Sequence, residues 1–207
     1  MYINPKKIHY LLKMSGDIMI KPYELLGYFL QRKDDFQDID DFLITLGGLC
    51  GYACQMAAKV EKTTFVAVKA AGKNYFFGDG LNYYLLQSSN WFIQIIKNKF
   101  ESMLPGEEFP DFVKMMKNVA GNIGNKDYKI NNLFNPEDKF SYYLEIWNKI
   151  FDVIKRNCNK PEGWPILLTL TLVEFMQIYT KNYGKEKMIS LLPTILENAC
   201  YVSKIMV

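Results

Sequence analysis

Histidine is almost missing: the 207-residue chain has one, His9. A His-based triad or a histidine-rich metal site therefore has a single possible donor. His9 stands beside Lys6 and Lys7 in a polar stretch. There a solvated histidine is the plain reading, and a general base the alternative. A charge excess of one sign is lacking as well. The 25 Lys and Arg are spread along the chain against 22 Asp and Glu, so no nucleic-acid stripe forms. The four cysteines, Cys50, Cys54, Cys158 and Cys200, include no CxxC pair. The N-terminus, MYINPKKIHYLLKMSGD, lacks the apolar run and cleavage site of a secretory signal. Together these point to reduced thiols in a cytoplasmic protein rather than to a zinc ribbon or a disulfide framework. Long apolar runs are scarce too. Phe42 to Ala58 is uncharged, but it includes Gly47, Gly48, Gly51, Thr45 and Gln55, and reads as a buried core helix. No Walker lysine motif, GxGxxG, GxSxG or HExxH occurs.

What is present is core material. Hydrophobic residues make up 49% and aromatics 15%, with 23% charged, which excludes a disordered chain. The expectation is a single globular domain over 1–207, with residues 1 to about 20 as a loosely packed arm. Pro22 suits the first turn of a helix over Lys21 to Arg32 whose apolar face is Leu25, Leu26, Phe29 and Leu30. An acidic run follows, and Asp38 or Asp40 is the natural N-cap of the next helix, about Asp40 to Glu61. Along that helix Gly47, Cys50, Gly51, Cys54 and Ala58 fall within an arc of roughly 100°. This stripe of small side chains implies close approach by a neighbour's backbone or an aromatic ring; a ligand lying in the groove is the alternative.

Lys62 to Asp79 reads as a β-hairpin with Gly72, Lys73 and Asn74 at its tip. An isolated hairpin is marginal, so it must rest on helices, gain a third strand, or pair with another subunit. Asp79 is the expected N-cap of the helix after it. Pro110 opens a short helix, and 121–136, rich in Asn and Gly, is the longest loop. Three helices close the chain, about 136–157, 165–183 and 185–204. The last carries Ser190, Thr194, Glu197, Tyr201 and Lys204 on one side, and Pro193 predicts a kink or a fresh start within it. The fold class is α+β, predominantly α-helical: about seven helices around a central small-residue helix, with one β-hairpin.

Four places are candidate sites. Asp34, Asp35 and Asp38 have the DDxxD spacing with which isoprenoid synthases hold magnesium and a diphosphate, but no second such motif exists; a solvated connection is the alternative. The segment YFFGDGLNYY, 75–84, runs from strand through glycines into a helix. It is a tight strand-to-helix turn or a binding surface, with Tyr75, Asp79, Asn82 and Tyr83 as contacts. Cys50 and Cys54 lie one helical turn apart, as metal ligands with Cys158 or Cys200 or as small hydrophobes. Glu174 lies in an apolar helix, but near Gln177, Thr180 and Lys181, which favours a solvent-facing carboxylate.

The phrases GGLCGYACQ at 47–55, YFFGDGLN at 75–82, GWP at 163–165 and ILENACYVSK at 195–204 together resemble a family of uncharacterised bacterial cytoplasmic proteins of about this length. The resemblance implies a single bacterial domain and no chemistry. With no catalytic constellation, no cofactor motif and plentiful Tyr, Phe and Met for contact surface, the expected function is a non-enzymatic protein-binding module, of inhibitor or immunity type. Its partner is another protein, or a second copy of the chain, and neither nucleic acid nor membrane. The alternative is an enzyme or carrier for an apolar or phosphorylated small molecule, bound beside the small-residue stripe or near Asp34–Asp38.

Overall fold

The computed structural model describes residues 22–32, 36, 38–60, 65–87 and 92–206. His9, Asp34 and Asp35 lie outside the described residues, as does the expected N-terminal arm. Eight α-helices and two strands are present among the described residues. They are α1 (Pro22–Gln31), α2 (Ile39–Val60), β1 (Val66–Ala70), β2 (Lys73–Phe77), α3 (Asp79–Asn82), α4 (Phe92–Met103), α5 (Phe112–Gly121), α6 (Phe140–Asn157), α7 (Trp164–Tyr183) and α8 (Lys185–Val202). A π-helical turn, Tyr83–Gln87, extends α3. The fold is predominantly α-helical α+β, as the sequence implies.

α2 is central because its sequence lets neighbours come close. It starts where Asp38 accepts a hydrogen bond from the Asp41 amide at 2.7 Å, an N-cap, and Asp40 and Asp41 face the positive end of the helix dipole. It packs against α8 and α7 above all. A Cβ on Gly51 would stand 2.0 Å from the Ala199 carbonyl oxygen, and one on Gly47 2.7 Å from Ile195 Cγ2 and 2.9 Å from the Ile195 carbonyl oxygen. The backbone of α8 thus occupies the small-residue stripe. Cys50, Cys54 and Ala58 are completely buried along it. No room is left there for a ligand.

Two aromatic groups flank this contact. Phe29 of α1, Phe42 of α2 and Phe175 of α7 meet edge-on, with Phe42 and Phe175 centroids 4.6 Å apart. Tyr52 of α2 meets Trp147 of α6 at 5.0 Å, and Trp147 meets Trp164. One polar node sits in between: buried Asn198 of α8 donates to the Ile44 carbonyl at 2.8 Å and to the Tyr143 hydroxyl at 3.1 Å, tying α2, α6 and α8 together.

The hairpin pairs Val66 with Phe77, Val68 with Tyr75 and Ala70 with Lys73. Its tip is Ala71–Gly72, one position before the Gly72–Lys73–Asn74 read from sequence. Both tip residues have positive φ, 47° and 81°, the pattern of a two-residue type I′ turn. Alanine is not a turn residue, which hid the true tip. Of the three supports expected for the hairpin, a third strand is present only as an isolated bridge, Tyr75 to Ile205. The Phe76 amide donates to the Lys204 carbonyl at 2.6 Å, and the Met206 amide to the Asn74 carbonyl at 3.1 Å. Buried Gln55 of α2 fixes this tail, donating to the Ser203 and Ile205 carbonyls, both at 2.8 Å. The hairpin is thereby stapled to the helical body.

One local expectation needs correction and another is narrowed to one of its alternatives. Asp79 is the first helical residue of α3 and not its cap; the cap position is Gly78, without a side-chain cap bond. α8 runs through Pro193 as one helix instead of starting afresh.

Candidate functional site

Only part of the polar face of α8 meets solvent: Ser190 is exposed and Glu197 half-buried. Thr194, Tyr201 and Lys204 are buried, because the loop over 122–139 and the hairpin lie on them. Where these parts meet, a seam of tyrosines and carboxylates forms. Glu137 Oε1 accepts hydrogen bonds from the Tyr75 and Tyr201 hydroxyls, the latter at 2.9 Å. Its Oε2 accepts from Lys73 Nζ at 2.5 Å. Burial alone would raise the Glu137 pKa; Lys73, Tyr75 and Tyr201 more than reverse that and hold it below the usual carboxylate value. The same contacts, after burial, push the Tyr75 and Tyr201 hydroxyls upward, so both stay neutral donors. One layer along, Glu197 accepts from the Tyr128 hydroxyl, from Asn118 Nδ2 at 3.2 Å and from the Asn131 amide at 3.3 Å. The Tyr128 and Tyr201 rings stack at 5.5 Å, joining the two carboxylates into one seam. The hydroxyls of Tyr75, Tyr128 and Tyr201 all donate to the two carboxylates, so the seam positions loop and hairpin.

The sequence-derived candidates scatter. Tyr75 is wholly buried in this seam. Asp79 is exposed, Asn82 is half-buried with its amide bonded to the Gly78 carbonyl, and Tyr83 is 43% exposed. These three share the α3 surface, without Tyr75. Asp38 spends its carboxylate on the α2 cap. Cys50, Cys54, Cys158 and Cys200 are free and buried. Burial pushes each thiol up, Cys158 to about 11. Among the described residues no group of three or more His, Cys, Asp or Glu is placed to hold a metal ion. Glu174 is partly exposed and pairs with Lys99 at 3.7 Å.

Sequence reasoning missed Glu137, Tyr201 and the lysines of the 122–139 loop. The available signal was the loop's length together with the polar face of α8: two polar surfaces of one chain, each in need of partners.

Two open surfaces adjoin the seam. The first is the outer edge of β1. Asn74 and Phe76 turn their backbone groups to the C-terminal stub, so Lys73, Tyr75 and Phe77 face β1, and Ala70, Val68 and Val66 face back. Ala67 and Lys69 then aim N–H and C=O outward, where no described residue pairs with them. Val66 and Val68 on this strand are 60% and 40% exposed, and Phe65 just before it is exposed while stacking on Phe76 at 4.8 Å. The second is a cleft of about 600 Å³ between the hairpin tip and the loop, lined by Lys73, Lys126, Lys129 and Lys139 among others. Among the described residues no helix is long and apolar enough to cross a membrane. Compared with known proteins, the chain matches no family model, no curated protein and no solved structure.

Proposed function

We propose that the chain is a cytoplasmic, non-enzymatic protein-binding module of inhibitor or immunity type, which takes an extended segment of another protein along the outer edge of β1. The observation that carries this reading is the edge itself: two residues with outward backbone groups, flanked by exposed valines, on a hairpin that α2 and the C-terminal stub hold rigid. A strand added there gains main-chain hydrogen bonds for affinity and side-chain contacts with Val66 and Val68 for specificity. The segment is acidic as well as apolar. Lys69 lies on this strand without a carboxylate in ion-pair range among the described residues, and a carboxylate opposite it completes the pairing. A second copy of β1 fits less well: paired antiparallel about Val68, it sets Lys69 against Ala67 and supplies no acid. The filled α2–α8 contact supports a binding role over catalysis. Buried free thiols suit a reducing compartment.

The test is a photo-crosslinking amino acid at position 68, with the adduct sequenced by mass spectrometry. An adduct with an extended, acidic segment of a second protein, lost in a Val66→Lys/Lys69→Glu variant of unchanged melting temperature, is the expected result. Adducts formed only between two copies of this chain, or unaffected by that variant, contradict it.

A further inference from the structure

The loop over 122–139 contains a single bridge, Ile130 to Phe134, yet it is tied down throughout. Asn125 Oδ1 accepts from the Asp127 amide at 3.0 Å, and Asn135 spans the loop: its Nδ2 donates to the Lys126 carbonyl at 3.1 Å and its Oδ1 accepts from the Glu137 amide at 2.9 Å. Asn131 Nδ2 donates to Thr194 Oγ1 at 3.0 Å. Gly124, at φ 77°, sits so close to the hairpin that a Cβ there would stand 2.7 Å from Ala70 Cβ. Long loops fixed this firmly carry function more often than they merely connect.

What this loop builds is one wall of the cleft, whose volume of about 600 Å³ is that of a small-molecule site. Charge inside it is uneven. Lys73 is neutralised by Glu137 and Lys139 by Asp41. Lys126 and Lys129 have no carboxylate within ion-pair distance among the described residues, and Asp138 is the one lining carboxylate left to oppose them. Beside the two lysines stands an apolar wall, Phe134 with Leu133, the latter 62% exposed.

We infer that this cleft binds a small organic phosphate, with the phosphate held by Lys126 and Lys129 and the organic body resting on Leu133 and Phe134. Two unpaired ammonium groups match one dianion, and lysine serves phosphate as a point charge where no planar fork is needed. The apolar wall adds affinity that a bare anion does not collect. This inference is independent of the strand-edge reading and stands or falls separately.

The probes are phenyl phosphate and inorganic phosphate, titrated into the full chain and followed by amide NMR shifts at low salt. Expected are saturable shifts confined to residues 71–73 and 124–139, tighter binding of phenyl phosphate than of inorganic phosphate, and weakening as salt rises. A Lys126→Gln/Lys129→Gln variant weakens binding by about tenfold or more at unchanged melting temperature, and Asp138→Asn tightens it. No saturable shift, or shifts undiminished in the double variant, overturns the inference. So does sedimentation with phosphatidic acid vesicles by a chain that ignores phenyl phosphate, since that assigns a lipid headgroup instead.

Discussion

A methyl group at position 51 would have to share space with a backbone carbonyl of α8, and no side-chain rotation can relieve that. Gly51→Ala is therefore expected to cost more than about 3 kcal/mol in urea unfolding, or to prevent folding. Gly27, inside α1 with nothing near its missing Cβ, is the control. Gly27→Ala should stabilise by up to about 1 kcal/mol. Equal, small effects at both positions would contradict the packing account. Glu137 gives the second residue-scale prediction. Its folded pKa lies below its ordinary value, so its contribution is complete above about pH 4.5 and is lost as pH falls through the folded pKa. Glu137→Gln should lower stability at pH 7 by about 1–3 kcal/mol and flatten the acid limb of the stability–pH curve; an unchanged limb argues against the seam. The small stripe was legible in the sequence because helical spacing alone brings Gly47, Cys50, Gly51 and Cys54 together. The burial of Tyr75 was not, because the carboxylate that receives its hydroxyl is 62 positions away.

Single elements were read well where the pattern is local. α1, α2, α7 and the hairpin fall within a few residues of their expected bounds, since Pro22, Asp38 and a β-branched run each act on their own neighbourhood. The errors come from context. Ala71 adopts a left-handed turn conformation that favours Asn or Gly, so the tip was misplaced by one residue. The polar stripe of α8, Thr194, Glu197 and Tyr201, has helical spacing, and spacing does not say whether water or an asparagine-rich loop will cover it. The expected last helix runs to about 204, whereas the chain leaves the helix after Val202 and bridges to β2 at Ile205. Deleting residues 204–207 should therefore speed exchange of the paired hairpin amides, those of Val68, Ala70 and Phe76, while leaving α2 slow. Hairpin protection unchanged by the deletion would show that the stub is not what holds it.

At the scale of the whole molecule, the helices build one buried cluster that reaches from Leu25 to Ile205, and α8 fills the space beside Gly47 and Gly51 of α2. The proposed binding surfaces lie at the periphery, where the hairpin and the long loop meet the last helix. The same region holds the seam, the open β1 edge and the lysine cleft, so the two surfaces proposed for recognition lie side by side on one helical frame. Sequence reading had placed function near 75–83 by its aromatic and glycine content. The segment is adjacent to these surfaces, but the residues that shape them come from 66–70, 122–139 and 194–206, which only folding brings together.

Native-state hydrogen exchange of the monomeric chain tests the central claim, that β1 offers a free strand edge. The amides of Val68 and Ala70, paired with β2, should be protected, and those of Ala67 and Lys69 should exchange at nearly the rate of an open chain. Equal protection at all four positions would mean that the edge is already covered, and would contradict the account.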